Sequence, residues 1–343
     1  MGCHADNPFF VSKLPQGRRN AITDVPGVTV GHCTLDRGEI QTGVTAVLPH
    51  GGNLFAEKVP AGHAVFNGFG KTTGLMQLKE LGVLETPIVL TNTLSVGTAF
   101  TALVRRALAE NPDIGVTAGT VNPVVCECND GELNDIRGLH ITEAHVAQAL
   151  DSAGADVAEG SVGAGRGMLC YGCKGGIGTA SRLADLGDRT CCVGALVLTN
   201  YGRAGDLRFH GKPLFPPAET RPDKGSAIVL LATDAPLSAR QMDRLSRRAI
   251  AGLCRSGSIL GSGSGELAVS FSTAYRVPVE GEGPYLDLRI LREDRMDLLF
   301  EAAAEAVEDA VYSSLLHAEP VRGVRGNRAV TLLGRMEELG ERD

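Results

Sequence analysis

The apolar positions of this chain fall into short runs separated by helical patterns. Residues 27–33 (GVTVGHC) alternate with the period of a half-buried strand, and 43–48 read as another. Residues 86–90 form a third strand that leads into a helix over about 95–110, with Ser95 in the capping position and Asn111-Pro112 as its stop. A strand is expected at 123–125, a helix at 142–151, and two very apolar strands at 192–199 and 227–233. Ser238-Ala239-Arg240-Gln241 has the spacing of a capping box and starts a helix expected to run to about residue 255. Beyond it, 268–272 and 285–291 alternate as strands, and Asp294 stands where it would cap a long amphipathic helix reaching about residue 317. Strands and helices are mixed without strict βαβ alternation, which predicts layered sheets covered by helices, an α+β fold.

Composition narrows the function classes. With 343 residues, 43% of them hydrophobic and 21% charged, the chain can bury a large core in one big domain or two intimate ones. A net charge of −7, with no basic run longer than Arg247-Arg248, argues against nucleic acid as a partner. No apolar stretch reaches the ~18 residues of a membrane span. Residues 1–20 are polar and lack a leader pattern, so the expected location is cytoplasmic. Nine cysteines, an odd count at irregular spacing, read as reduced thiols rather than a disulfide framework. Cys126-Glu127-Cys128 and Cys170-Tyr171-Gly172-Cys173 lack the further ligands that would complete a zinc site, and none of the eight histidines pairs with another at ligand spacing. No metal is expected.

One junction carries specific chemistry. In Lys224-Gly225-Ser226 a small residue precedes a hydroxyl nucleophile that opens the apolar strand 227–233, at the inner end of a Pro-, Gly- and charge-rich loop over 203–224. A serine hydroxyl needs an adjacent base. A free α-amine, with an ordinary pKa of about 7.7–8.0, is such a base near neutral pH. Cleavage between Gly225 and Ser226 would put nucleophile and base on one residue. A second cluster, Gly261 to Glu266 (GSGSGE), places Ser264 and Glu266 two residues apart, able to share a strand face. Ser264 can bond the Ser226 amine or hydroxyl, and Glu266 can hold positive charge; the alternative is a glycine-rich loop with a solvated carboxylate. Asn200, in LTNYG, ends a strand where an amide can donate to an oxyanion, or simply mark a turn. Two look-alikes fail: Gly68-Phe69-Gly70-Lys71-Thr72 has Val65 where a phosphate loop needs glycine, and Gly163–Gly167 has Met168 where a dinucleotide turn needs its third glycine. The glycines at 172–178 read as supports for close backbone packing.

Across nearly its whole length the chain resembles the self-processing serine aminopeptidases of the DmpA or β-peptidyl aminopeptidase type, peptidase family S58. The resemblance rests on PGVTVGH (26–32), QTGVTAVLPHGGNLF (41–55), NGFGKTTGL (67–75), ETPIVLTNTLSVGTA (85–99), NDGELNDIRG (129–138), GGIGTASR (175–182), GSAIVLLATDAPL (225–237) and GSGELAVSFSTA (263–274). It implies one peptidase domain over 1–343 with the αββα sandwich of that N-terminal-nucleophile type. It also implies autocleavage into 1–225 and 226–343, usually a homotetramer, and no cofactor. By position Ser226 would be both processing residue and nucleophile, Ser264 and Glu266 its partners, and Asn200 the oxyanion donor. Glu127 would meet a substrate ammonium. An aromatic, often tyrosine, is expected near 129–132 in such proteins; here Asn129 and Glu132 fill the region, and Glu132 adds negative charge beside the amine pocket. The expected substrates are short peptides, amides or esters with a free amine, of D-, L- or β-residues. Endo-amidases such as the nylon-oligomer hydrolases, acyltransferases such as the ornithine acetyltransferases, and a non-catalytic metabolite-binding relative are the alternatives.

Overall fold

The computed structural model describes residues 10–217, 224–281 and 283–340. An antiparallel hairpin of β1 (Thr29–Arg37) and β2 (Ile40–Leu48) is followed by the long β3 (Glu57–Gly68), helix α1 (Leu75–Leu81) and a short β4 (Val83–Leu84) that returns to β3. Next come β5 (Ile88–Asn92), α2 (Val96–Glu110), β6 (Val124–Cys128), parallel to β5, and α3 (Glu143–Asp151). A small hairpin, β7 (Leu169–Cys170) with β8 (Cys173–Lys174), leads into β9 (Gly176–Asp185) and β10 (Thr190–Asn200). A second small hairpin, β11 (Arg208–Phe209) with β12 (Lys212–Pro213), precedes β13 (Ser226–Thr233), α4 (Ala239–Ser246) and α5 (Ala249–Arg255). The chain ends with β14 (Gly265–Ser272), β15 (Val277–Pro278), the long α6 (Met296–Leu316), the pair β16 (Val321–Arg322) and β17 (Arg328–Ala329), and α7 (Leu332–Gly340).

Two large sheets result, in the orders β1-β2-β5-β6 and β15-β3-β14-β13-β10-β9, beside the three two-stranded pairs. The central strands β2, β5, β10, β13 and β14 are buried on both faces because each sheet is covered twice. Leu90 and Cys126 of the first sheet meet Leu198, Leu230 and Val269 of the second in an inner core. Val89 and Val125 turn the other way, onto Leu103 of α2 and Val146 of α3. Val197, Val229 and Ala268 turn onto Leu245, Leu253 and Val307 of α4, α5 and α6. The layers are therefore helix, sheet, sheet, helix: an αββα sandwich. Each fully buried Leu or Val adds roughly 1.5–3 kcal/mol. Gly178 lets α6 approach closely, since a Cβ there would lie 1.9 Å from the Ala310 carbonyl oxygen.

Local expectations met mixed outcomes. The Ser238–Gln241 capping box forms, with Gln241 N–H donating to Ser238 Oγ at 3.3 Å and Ser238 N–H to Gln241 Oε1 at 3.0 Å. The helix it starts stops at Ser246 and resumes at Ala249, so one expected helix is two. Ser95 makes no capping bond; Asn92 does, accepting from the N–H groups of Leu94 and Ser95, both at 3.1 Å. Asp294 lies in a 3-10 turn before α6 and pairs with Arg292 instead of capping. Residues 285–290 are exposed, and 285–291 form no strand because no neighbouring strand pairs with them; the half-buried Leu291 instead gives its N–H to the Pro236 carbonyl and its carbonyl to Gln241 Nε2. Within the 203–224 loop, 218–223 lie outside the described residues.

Candidate active site

Strand register assembles the site at one end of the second sheet. Ser226 is the first residue of β13 and lies between β10 and β14, opposite Asn200 in the antiparallel ladder and opposite Gly265 in the parallel one. Cross-strand partners share a face at about 4.5–5.5 Å between Cβ atoms. Alternation with Leu198, Ile228 and Leu230 turns Asn200 and Ser226 toward the inner core. There Ser226 faces the Cys128 thiol of β6, whose Sγ donates to the Leu198 carbonyl at 3.9 Å. Burial pushes that thiol well above its ordinary range, and the nearby Glu127 carboxylate adds to the effect. Cys128 is therefore a neutral thiol and not a competing nucleophile.

The residue before the nucleophile is built into the sheet. A Cβ on Gly225 would lie 2.2 Å from the Asn200 carbonyl oxygen and 2.4 Å from Tyr201 Cα, so no larger residue fits without moving a strand. The Gly225 carbonyl oxygen accepts the N–H of Gly265 at 3.1 Å. That donor polarises the carbonyl in the geometry of an oxyanion site.

Gly265 is flanked by the other two expected residues. Ser264 and Glu266 are fully buried, and the Ser264 hydroxyl donates to Glu266 Oε1. Alternation with Ala268 sets Glu266 on the helix-facing side of the sheet, opposite the face that carries the Ser226 hydroxyl. The pair thus lies beside the Ser226 backbone, where its amine would be, rather than over its hydroxyl. The turn before Ser264 is clamped by Asn67 at the end of β3, whose Nδ2 donates to the Gly261 carbonyl at 2.7 Å and to the Ser264 carbonyl.

Asn200 is held from both sides. Its Oδ1 accepts from Leu169 N–H at 3.0 Å, and its Nδ2 donates to the Asn129 carbonyl at 3.0 Å. A side-chain amide has two N–H groups, so a second donor is left on the face shared with Ser226.

Glu127 enters from the facing sheet. It is buried at the end of β6, one residue before Cys128; its Oε1 accepts Lys71 N–H at 2.8 Å and its Oε2 accepts the Thr93 hydroxyl. The Gly68–Thr72 segment, which fails as a phosphate loop, thus bridges the two halves: its Lys71 amide holds Glu127, and its Phe69 carbonyl oxygen lies 2.6 Å from where a Gly265 Cβ would be. Glu132 is not drawn in. It is exposed, and its carbonyl oxygen accepts Asn327 Nδ2 at 2.8 Å. The acid buried in this turn is Asp130, two residues earlier. Burial pushes its carboxyl up to about 7, against hydrogen bonds from Thr42 and Asn134, with Glu127 adding to the rise. Sequence reasoning weighed Cys128 only as a metal ligand or free thiol and passed over Asp130, whose only signal was its place in the NDGELNDIRG motif.

A cavity of about 400 Å³ opens at the other end of β2 and β5, lined in part by His50, Glu85 and Arg106. Its buried Glu85 is already engaged by Lys58, Gln77 and Asn122. The chemistry concentrates at the Ser226 end.

Comparison with known proteins agrees with the fold. The model of peptidase family S58 matches residues 20–329. A β-peptidyl aminopeptidase, BapA of Sphingosinicella microcystinivorans, is 39% identical over 340 residues, covering 90% of this chain and 84% of its own. The crystal structure of the PH0078 protein from Pyrococcus horikoshii OT3 superposes with a TM-score of 0.91 at 46% identity, over 97% of this chain and 96% of that one. The L-aminopeptidase D-Ala-esterase/amidase of Ochrobactrum anthropi, described as a prototype serine aminopeptidase with a variant of the Ntn hydrolase fold, superposes with a TM-score of 0.87 at 36% identity over 97% of each chain. The chain belongs to peptidase family S58, and is a serine-type peptidase of the Ntn-hydrolase kind.

Proposed function

We propose that this aminopeptidase makes its own active site by cutting the Gly225–Ser226 bond. The observation that carries the proposal is the Gly225 carbonyl, held on Gly265 N–H at 3.1 Å immediately before a buried serine. The Ser226 hydroxyl oxygen adds to the Gly225 carbonyl carbon, and the hydroxyl proton passes to the Ser226 nitrogen. The C–N bond breaks, leaving Gly225 as an ester on Ser226 Oγ and a free α-amine. Water hydrolyses the ester, restoring the hydroxyl and releasing the Gly225 carboxylate.

The mature Ser226 then acts on substrates. Its hydroxyl attacks the carbonyl of the first amide or ester bond while its α-amine takes the proton. The oxyanion accepts the second N–H of Asn200. The α-ammonium returns its proton to the leaving amine, and water, deprotonated by the same amine, releases the acyl group. Ser264 and Glu266 orient and stabilise the ammonium from beside the strand end. Glu127, fixed by Lys71 N–H and the Thr93 hydroxyl, receives the substrate's ammonium group. Substrates are short peptides, amides or esters with a free amine, and the relatives' names point to L-, D- and β-aminoacyl groups. We place the enzyme in the cytoplasm as a homotetramer, which light scattering of the purified protein checks.

Ser226→Ala tests the chemistry. The variant is expected to stay uncut and to leave aminoacyl-p-nitroanilides untouched. A fully active Ser226→Ala protein would overturn the proposal.

A further inference from the structure

The buried acid Asp130 has no part in the chemistry above, yet it sits directly behind one of its donors. It follows Asn129, whose carbonyl takes one of the two Asn200 Nδ2 protons at 3.0 Å. Asn200 is thereby fixed in plane, and its remaining N–H is aimed by wherever the Asn129 carbonyl stands. What fixes that carbonyl is the Asp130 turn. The Asp130 carbonyl accepts from Leu133 N–H at 3.0 Å and Asn134 N–H at 2.9 Å, and its Oδ1 accepts Asn134 Nδ2 at 3.0 Å. Asn134 Oδ1 in turn accepts Gln41 N–H at 3.0 Å, tying the turn to β2. On its other side Asp130 lies against Gly167, where an added Cβ would come within 2.7 Å of Asp130 Cβ.

The surroundings suit an uncharged carboxyl. Oδ2 has no hydrogen-bond partner among the described residues. The nearest charge on β6 is the like-charged Glu127. Arg166, beside Gly167, spends its guanidinium on Gln41 Oε1 at 2.7 Å and on Asp36 at 2.8 Å. Asp135 at the far end of the turn is paired with His140 at 3.0 Å. The Arg325 guanidinium reaches this turn at the Gly131 carbonyl, at 3.4 Å, and makes no bond to the Asp130 carboxyl; ionising Asp130 therefore puts a buried charge against Glu127, and such a charge draws in water or displaces the turn.

We propose that Asp130 is a positioning residue of the reaction: as a neutral acid it fixes the Asn129 carbonyl and so aims the Asn200 donor, and its ionisation releases that donor. The proposal rests on Asn200 acting as the oxyanion donor. Burial already lifts this carboxyl to about 7, which places the switch near neutral pH.

The test is the pH dependence of kcat on an aminoacyl-p-nitroanilide, using fully processed enzyme. Wild type is expected to lose kcat as pH rises through the Asp130 titration, with KM little changed. Asp130→Asn, which keeps the shape and cannot ionise, should lose that alkaline limb. Asn134→Ser removes a donor that favours the carboxylate, so it should move the limb to higher pH by roughly half a unit or more. If Asp130→Asn does not fold, the Asn134→Ser profile alone decides. Profiles of the folded variants that superpose on wild type would overturn the proposal. A fully active Asn200→Ala enzyme would instead remove the donor role on which it rests, which separates the two failures.

Discussion

Gly225→Ala is the most revealing single substitution. Gly225 does not occupy the left-handed region, so alanine meets no backbone penalty there. The carbonyl it carries is electronically almost the same. The obstacle is contact alone: the new Cβ would lie 2.2 Å from the Asn200 oxygen and 2.4 Å from Tyr201 Cα, both backbone atoms that cannot rotate away. The start of β13 must therefore move off β10. Overpacking of this kind costs about 1–3 kcal/mol. The shift also draws the Gly225 carbonyl from Gly265 N–H, and loss of one oxyanion-type donor slows such reactions by about 10²–10³-fold. The assay is intact mass against time after purification, beside circular dichroism to establish that the variant is folded. A folded Gly225→Ala protein should remain largely full-length when wild type is fully cut. Cleavage at the wild-type rate would refute the claim that the sheet, and not the dipeptide, prepares this bond.

Three other outcomes follow from the same geometry. Glu127→Gln should raise KM for substrates with a free amine by roughly 10–100-fold, about 1.4–2.8 kcal/mol of lost ammonium binding, with self-cleavage unaffected; steady-state kinetics on matched free and N-acetylated esters check it. Asp130 bears on stability: its carboxyl, ordinarily 3.8, rises to about 7 on folding. Because the folded-state value is raised, its contribution is fully present below about pH 4 and is lost as pH climbs through 7, a cost of ~4 kcal/mol. Urea melts of Asp130→Asn and wild type should therefore diverge in favour of the variant between pH 5 and 8. Arg182→Met removes the buried cation that Glu305 and Asp309 meet at 3.4 and 2.9 Å, leaving them neutral donors such as the Ser12 hydroxyl and the Asn20 amide; it should cost about 3–5 kcal/mol in the same melts at neutral pH.

The parts of the fold that were legible in the sequence are those where local pattern and tertiary need agree. The run 227–233 is apolar on both faces because β13 is buried on both, and Ser238–Gln241 caps a helix by bonds within four residues. Strand β3 escaped because Lys58, Pro60, His63 and Asn67 break its pattern, and β9 because Gly176 is there for the close approach of Gly160 and Gly178 for α6, which the sequence places more than a hundred residues away. The alternation at 285–291 misled because a strand needs a partner as well as a period. In the site, Ser226, Ser264 and Glu266 stood out as hydroxyls and a carboxylate among glycines. Cys128 and Asp130 did not, since their meaning comes from two sheets meeting face to face. Glu132 looked suited to the pocket by sequence distance, yet the turn that buries Asp130 points Glu132 outward to Asn327.

The central claim is that the chain is remade at one bond, and a denaturing intact-mass spectrum of the purified protein tests it most directly. The account predicts two polypeptides, residues 1–225 and 226–343, with serine at the new N-terminus. A single full-length species that persists in a folded, peptide-hydrolysing preparation would contradict it.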